Sequence, residues 1–193
     1  MDEIKRLFVA IPVKGQLQEV ALAWQANHVG WPVNWISGEA FHITVVSPWM
    51  ETNVPSIVSK LDEFAQSVST GKIDIKPFII NFFKVVFGPN RFAPRLIWAE
   101  GQPPVSLLEL KNRLEQALAK PDNRFYRLHL TLARFLASDF GPAGLPDLFD
   151  RVEWESEINS FILFESIMKP EGPEYIKIKE FSFANLSQDQ QAQ

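Results

Sequence analysis

The residues best suited to chemistry in this chain come as a matched pair. Phe41-His42-Ile43-Thr44-Val45 is echoed by Leu128-His129-Leu130-Thr131-Leu132, with the two histidines 87 positions apart. Each stretch reads apolar-His-apolar-Thr-apolar. In a β-strand, alternate side chains share a face. His42 and Thr44 therefore stand together, with Phe41, Ile43 and Val45 turned the other way, and His129 and Thr131 do the same. The chain has only three histidines, and two of them sit in these apolar strands. Burying two titratable groups is costly, which points to a purpose. His28 lies near a helix end before Gly30 and is expected at the surface or as a cap.

Two imidazoles and two hydroxyls narrow the chemistry. A tetrahedral zinc site needs three or four protein ligands, yet neither motif has an adjacent carboxylate or a second His one helical turn away. There is no Cys, so thiolate nucleophiles and thiolate metal sites are excluded. A Gly-x-Ser-x-Gly elbow is absent, as are Gly-x-Gly-x-x-Gly and Walker loops. A general acid and base pair fits better, because imidazole titrates near neutrality. In an in-line displacement at phosphorus, one imidazole takes a proton from the attacking oxygen. The other gives a proton to the leaving oxygen on the far side, and hydroxyls hold the non-bridging oxygens. The scheme requires no metal and no cofactor.

The elements that must position these groups follow from periodicity. Strands are predicted over Arg6–Pro12, Phe41–Val46, Arg95–Glu100 and Leu128–Phe135. One or two more lie within Ile73–Phe87, broken near Pro77. Glu157–Met168 and Tyr175–Phe183 form a hairpin around Lys169–Glu174. Helices are predicted over Lys14–Ala26, Val54–Val68 and about Pro104–Leu118, each with an apolar stripe. Pro55 suits a first turn, and Ser106 with Glu109 forms a capping box. Asp139–Asp147 is read as loop. Helices separated by strands that are joined by short turns indicate an α+β fold with mainly antiparallel pairing.

Composition sets the outer limits. Of 193 residues, 46% are hydrophobic and 22% charged, with sixteen Phe and six Trp, which excludes a disordered chain. No apolar run approaches the ~20 residues of a spanning helix. The acidic start, Met1-Asp2-Glu3, lacks a signal-peptide pattern, so a cytoplasmic, non-membrane protein is expected. The net charge of −4 argues against coating long nucleic acid. The stretch from Lys84 to Arg134 nevertheless holds nine Lys/Arg against four acids, room for a basic spot that takes a small anion.

Taken together, these residues resemble the two-histidine phosphoesterase superfamily. Within it, the chain looks most like the RNA 2',3'-cyclic phosphodiesterases, also called 2'-5' RNA ligases. The resemblance runs through Arg6–Ile11, Phe41–Val45, Pro94–Ala99 and Arg127-Leu128-His129-Leu130-Thr131-Leu132-Ala133-Arg134. It continues through Leu163–Ser166 and Gly172–Tyr175. Leu128 stands where the family usually has Pro, and Val45 where it usually has Leu.

The resemblance implies a bilobal, pseudo-twofold domain over residues 1–185, with helices outside, a central cleft, and a polar tail at 186–193. It implies hydrolysis of RNA 2',3'-cyclic phosphate termini to 2'-phosphates, with His42 protonating the 3' oxygen and His129 activating water. Thr44, Thr131 and Arg134 would hold the phosphate. Strict alternation puts Arg134 opposite His129, so it reaches the phosphate only if the strand ends or bulges near Ala133. Arg127 has the parity of His129 and is the choice by geometry. Phe8 is placed first in the core, with stacking on an RNA base as its alternative. RNA termini or small cyclic nucleotides are the expected ligands, and the protein is expected to be a monomer. The same site could join RNA through a 2'-5' linkage. A non-catalytic module that binds RNA ends or nucleotides is the remaining alternative.

Overall fold

A computed structural model describes residues 3–90, 92–169 and 172–183; the expected tail at 186–193 lies outside them. The elements run β1 (Lys5–Pro12), α1 (Gly15–Ala26), β2 (Asn34–Trp35), β3 (His42–Glu51), α2 (Val54–Ser69), β4 (Phe78–Gly88), β5 (Leu96–Gly101), α3 (Val105–Leu118), β6 (Leu128–Arg134), β7 (Phe149–Ile158), β8 (Ser160–Lys169) and β9 (Gly172–Ser182). Two sheets form, ordered β3-β1-β8-β9 and β2-β6-β5-β4-β7. Every pairing is antiparallel.

Leaving out the two-residue β2, the second order is β6-β5-β4-β7. It repeats the first with β6 in the place of β3 and β5 in the place of β1. Each His-x-Thr strand is thus the edge of its lobe's main ladder, next to the strand that precedes it by one helix. The α+β, bilobal, antiparallel fold follows from this pairing.

Burial alternates as the pattern requires. Phe41, Ile43 and Val45 are buried in one lobe, and Leu128, Leu130 and Leu132 in the other. The helices change partners between lobes. Although α1 follows β1 of the first sheet, it packs on β7 of the second. There the Trp24 indole N–H donates to Asp150 at 2.8 Å. α3 follows β5 of the second sheet yet packs on β3 and α2. Leu107, Leu110, Leu114 and Leu118 of α3 are buried, as are Ile57, Leu61, Phe64 and Val68 of α2.

Several elements differ from expectation. β7 is an additional strand whose residues are mostly exposed or half-buried, so its alternation is masked by acidic residues on the outer face. The break at Pro77 leaves one strand, β4, with no strand over 73–77. Ala137–Ala143 forms a short 3-10 segment that overlaps the first half of the predicted loop. α3 starts after Pro104, with no side-chain cap, so Ser106 lies within the first turn and the expected capping box does not form. α2 is capped instead by Asn53, whose side chain accepts from the Ser56 N–H.

Candidate active site

The two motif strands meet across the space between the lobes. His42, Thr44, His129, Thr131 and Arg134 line one cavity of 250 Å³, together with Arg6, Phe8, Ser166 and Tyr175. Both imidazoles are held in the same way. His42 Nδ1 lies 2.8 Å from the carbonyl of Ala40, and His129 Nδ1 lies 2.8 Å from the carbonyl of Arg127. A carbonyl only accepts, so each Nδ1 carries the hydrogen. Each Nε2 is then the nitrogen left to take or give a proton.

The ring surroundings differ. His129 stacks on the Trp98 indole, with centroids 4.1 Å apart and an interplanar angle of 29°. Gly88 leaves room for that indole, since a Cβ there would come within 2.7 Å of it. His42 instead meets Tyr175 edge-on at 4.7 Å and Phe8 at 5.2 Å. Phe8 is 2% exposed and stacks on Phe164, so its ring supports His42 and offers no open face to a base.

Burial pushes both imidazoles toward neutrality. It lowers His42 from 6.5 to about 4, aided by the nearby charges of His129 and Arg134 and opposed by the hydrogen bond to Ala40. His129 is lowered mainly by burial, with Arg127 adding to the effect and the hydrogen bond to Arg127's carbonyl and the charge of Glu100 opposing it. At neutral pH both imidazoles are therefore uncharged, and an anion placed between them would favour the charged forms.

The path of Arg134 into the cavity is a β-bulge. Ile97 pairs with Ala133 but the next residue, Trp98, pairs with Thr131, which leaves Leu132 as the extra residue. Leu132 and Ala133 are consecutively buried, and parity flips so that Arg134 emerges on the histidine face. The first motif has the same device. Val9 pairs with Val46 and Ala10 with Thr44, leaving Val45 extra. Ser47 is the counterpart of Arg134.

The Arg134 Nη2 donates to the Tyr175 hydroxyl at 3.3 Å, while its Nε is buried with no hydrogen-bond partner among the described residues. Arg127 does share the face of His129, as alternation requires. Its guanidinium, however, donates to Glu100 at 3.1 Å and to the carbonyl of Pro89 at 2.8 Å. It lines the adjoining cavity, not the one between the imidazoles.

Arg6 and Tyr175 fall in stretches that carry the family resemblance, but nothing in the sequence singles them out as site residues. They reach the cavity because β1 and β9 are drawn to it through the ladder with β8. Arg6 donates to the Ser166 hydroxyl at 3.0 Å.

The 2'-5' RNA ligase superfamily profile matches residues 17–165. The chain belongs to that superfamily. It is 30% identical over 158 residues to the RNA 2',3'-cyclic phosphodiesterase of Bacillus subtilis, covering 78% of this chain and 80% of that protein. It is 26% identical to the enzyme of the same name from Archaeoglobus fulgidus, covering 91% and 99%. Among solved structures, the superfamily fold appears in TT0787 of Thermus thermophilus, with a TM-score of 0.72 at 21% identity, covering 94% of this chain and 99% of that one. It appears again in apo LigT of Escherichia coli, with a TM-score of 0.65 at 24% identity, covering 93% and 98%.

Proposed function

We propose that the protein hydrolyses 2',3'-cyclic phosphate termini of RNA to 2'-phosphates, with the two imidazoles as its general acid and base and without a metal ion. The carrying observation is the pair of Nδ1-anchored histidines in one cavity that also holds the orphaned Nε of Arg134. A buried donor without a partner suits an anion. The names of the curated relatives give the substrate class. LigT has been solved with phosphate and with 3'-AMP, ligands of the same chemistry.

The cyclic phosphate sits with its non-bridging oxygens toward Thr44, Thr131 and Arg134. A water on the His129 side gives its proton to Nε2 of His129 as its oxygen bonds phosphorus. The bond from phosphorus to the 3' oxygen breaks, and that oxygen takes a proton from Nε2 of His42. The 2' oxygen keeps its bond, so a 2'-phosphate results. The assignment of acid and base follows the family resemblance. The His42 pKa of about 4 makes the bound phosphate itself part of the mechanism, because its charge draws the proton onto His42.

The test is turnover of a 2',3'-cyclic mononucleotide by His42→Ala and His129→Ala, with folding checked by circular dichroism. Each variant is expected to lose roughly 10²–10⁴-fold in kcat, and EDTA to leave the wild-type rate unchanged. Near-normal turnover in either variant, or activity abolished by EDTA and restored by zinc, would overturn the proposal.

A further inference from the structure

We propose that Arg127 is the positioning residue of His129. Its side chain, clamped to the second sheet, fixes both the carbonyl that keeps the hydrogen on Nδ1 and the indole that backs the imidazole. The inference rests on the reading of His129 as the general base, which needs its Nε2 bare when the attacking oxygen arrives.

The two motifs present their histidines alike but secure the presenting carbonyl in different ways. Ahead of His42, Gly38–Ala40 forms a 3-10 turn. The Phe41 N–H, in the same peptide unit as the Ala40 carbonyl, donates to the Gly38 carbonyl at 3.2 Å. The Ala40 N–H donates to the Ser37 carbonyl at 2.9 Å. The backbone alone therefore holds the acceptor of His42.

Ahead of His129 there is no such turn. Residues 120–127 form neither helix nor strand, and 121–127 make no backbone–backbone hydrogen bond among the described residues. Arg127 is the last of them, and its carbonyl takes the Nδ1 hydrogen of His129. Its side chain supplies the missing anchor. Nη1 donates to the Pro89 carbonyl at 2.8 Å, and Nη2 donates to both Glu100 oxygens at 3.1 Å.

The anchor points are rigid. Pro89 directly follows β4, and Glu100 lies on β5 directly across the ladder from His129. Glu100 is itself held, with Lys84 Nζ 3.6 Å away. A planar guanidinium can span two such acceptors, where an ammonium offers one point charge.

The same guanidinium lies 5.0 Å from the Trp98 ring centre, and His129 stacks on that ring at 4.1 Å. The indole is confined further by Gly88, where no Cβ would fit beside it. One residue thus supplies two restraints on the imidazole. Its carbonyl fixes the ring at Nδ1, and its guanidinium steadies the surface against the ring face. Arg127 does this from outside the cavity between the imidazoles, so it acts through His129 and not on the phosphate.

The experiment reads the tautomer of each histidine by long-range proton–nitrogen NMR correlations on the full chain at neutral pH. It is paired with kcat and KM on a 2',3'-cyclic mononucleotide. In the wild type both rings are expected to carry hydrogen on Nδ1. Arg127→Met keeps the stem and removes the fork. It should move His129 toward the Nε2–H form and leave His42 unchanged. It should lower kcat roughly ten- to a hundredfold, up to the low end of what a general base supplies, with KM within about twofold. Glu100→Gln, which leaves Arg127 one acceptor there, should fall between the two.

An unchanged His129 tautomer or an unchanged kcat in Arg127→Met overturns the proposal. A raised KM with kcat kept, together with weaker inhibition by inorganic phosphate, makes Arg127 an anion holder and overturns it as well. Should circular dichroism show Arg127→Met unfolded, Glu100→Gln carries the test, and wild-type tautomer and kcat there overturn the proposal. Absence of turnover in the wild type removes the phosphodiesterase reading instead, and the tautomer comparison still decides whether Arg127 sets His129.

Discussion

At the scale of the residue, each histidine has one nitrogen committed and one free. The commitment is made by a carbonyl two positions back in its own chain, at Ala40 and at Arg127, so the acceptor that chooses the tautomer is local in sequence. What distinguishes the two is their surroundings: a face-on indole for His129, and edge-on Tyr175 with Phe8 for His42. Because burial depresses both imidazoles, and His42 to about 4, the bell-shaped pH profile of kcat/KM should lie on the acid side of the ordinary imidazole range. Its lower limb is expected near pH 4. The kcat profile should sit at higher pH, since the bound phosphate favours charged His42. Initial rates on a cyclic mononucleotide from pH 3.5 to 8 measure both; a lower limb of kcat/KM near 6.5 would contradict the depressed His42.

The histidines and threonines were legible from alternation alone, because a strand's period of two needs no tertiary information. Arg6 and Tyr175 were not, because their approach depends on which strands pair. Arg134 was legible only conditionally, since one extra residue reverses its direction.

That extra residue belongs to the scale of the element. The bulge at Leu132 needs support for its displaced carbonyl, and α1 supplies it. Gln25, buried, donates from Nε2 to the Leu132 carbonyl at 2.8 Å and to the Ile36 carbonyl at 2.9 Å. The Ile36 N–H donates to the same Leu132 carbonyl. Gln25→Met keeps the shape and removes the donor. The Leu132 carbonyl keeps the Ile36 N–H, so the loss should cost about 0.5–1.5 kcal/mol, the net worth of an ordinary hydrogen bond, read as a shift in the urea midpoint. It should also raise KM for the cyclic phosphate by releasing the register that aims Arg134. Unchanged stability and KM would show that the bulge holds itself.

Gln25 falls eight residues after Leu17, at the border of the α1 apolar stripe, and only its polar type hid its burial. The helices themselves were found within a residue or two because their apolar spacing is strong. β7 was not, since an edge strand with an acidic outer face presents only a half-buried alternation.

For the whole molecule, the neutral imidazoles carry a cost at low pH. In the unfolded chain His42 titrates near 6.5, and in the fold near 4. Between those values the unfolded state binds the extra proton, so stability rises with pH across that window. The contribution is complete above about pH 6.5 and is lost as pH falls toward 4. The shift corresponds to about 3 kcal/mol. Urea unfolding at several pH values should show His42→Asn losing less stability than wild type between pH 7 and 4.5; parallel curves would refute the depressed value.

The exchange of helices between lobes has a mechanical consequence. Prising the sheets apart would strip α1 from β7 and α3 from β3, exposing Trp24 and the leucine row of α3 to water. Tyr126 adds a strut, its hydroxyl donating to the carbonyl of Thr44 from across the gap at 2.9 Å. The jaw width is therefore set when the chain folds. Such an enzyme does not grip by closing; it sorts its ligands by the side chains that project into a slot of fixed gauge, and product departure need not wait for a hinge.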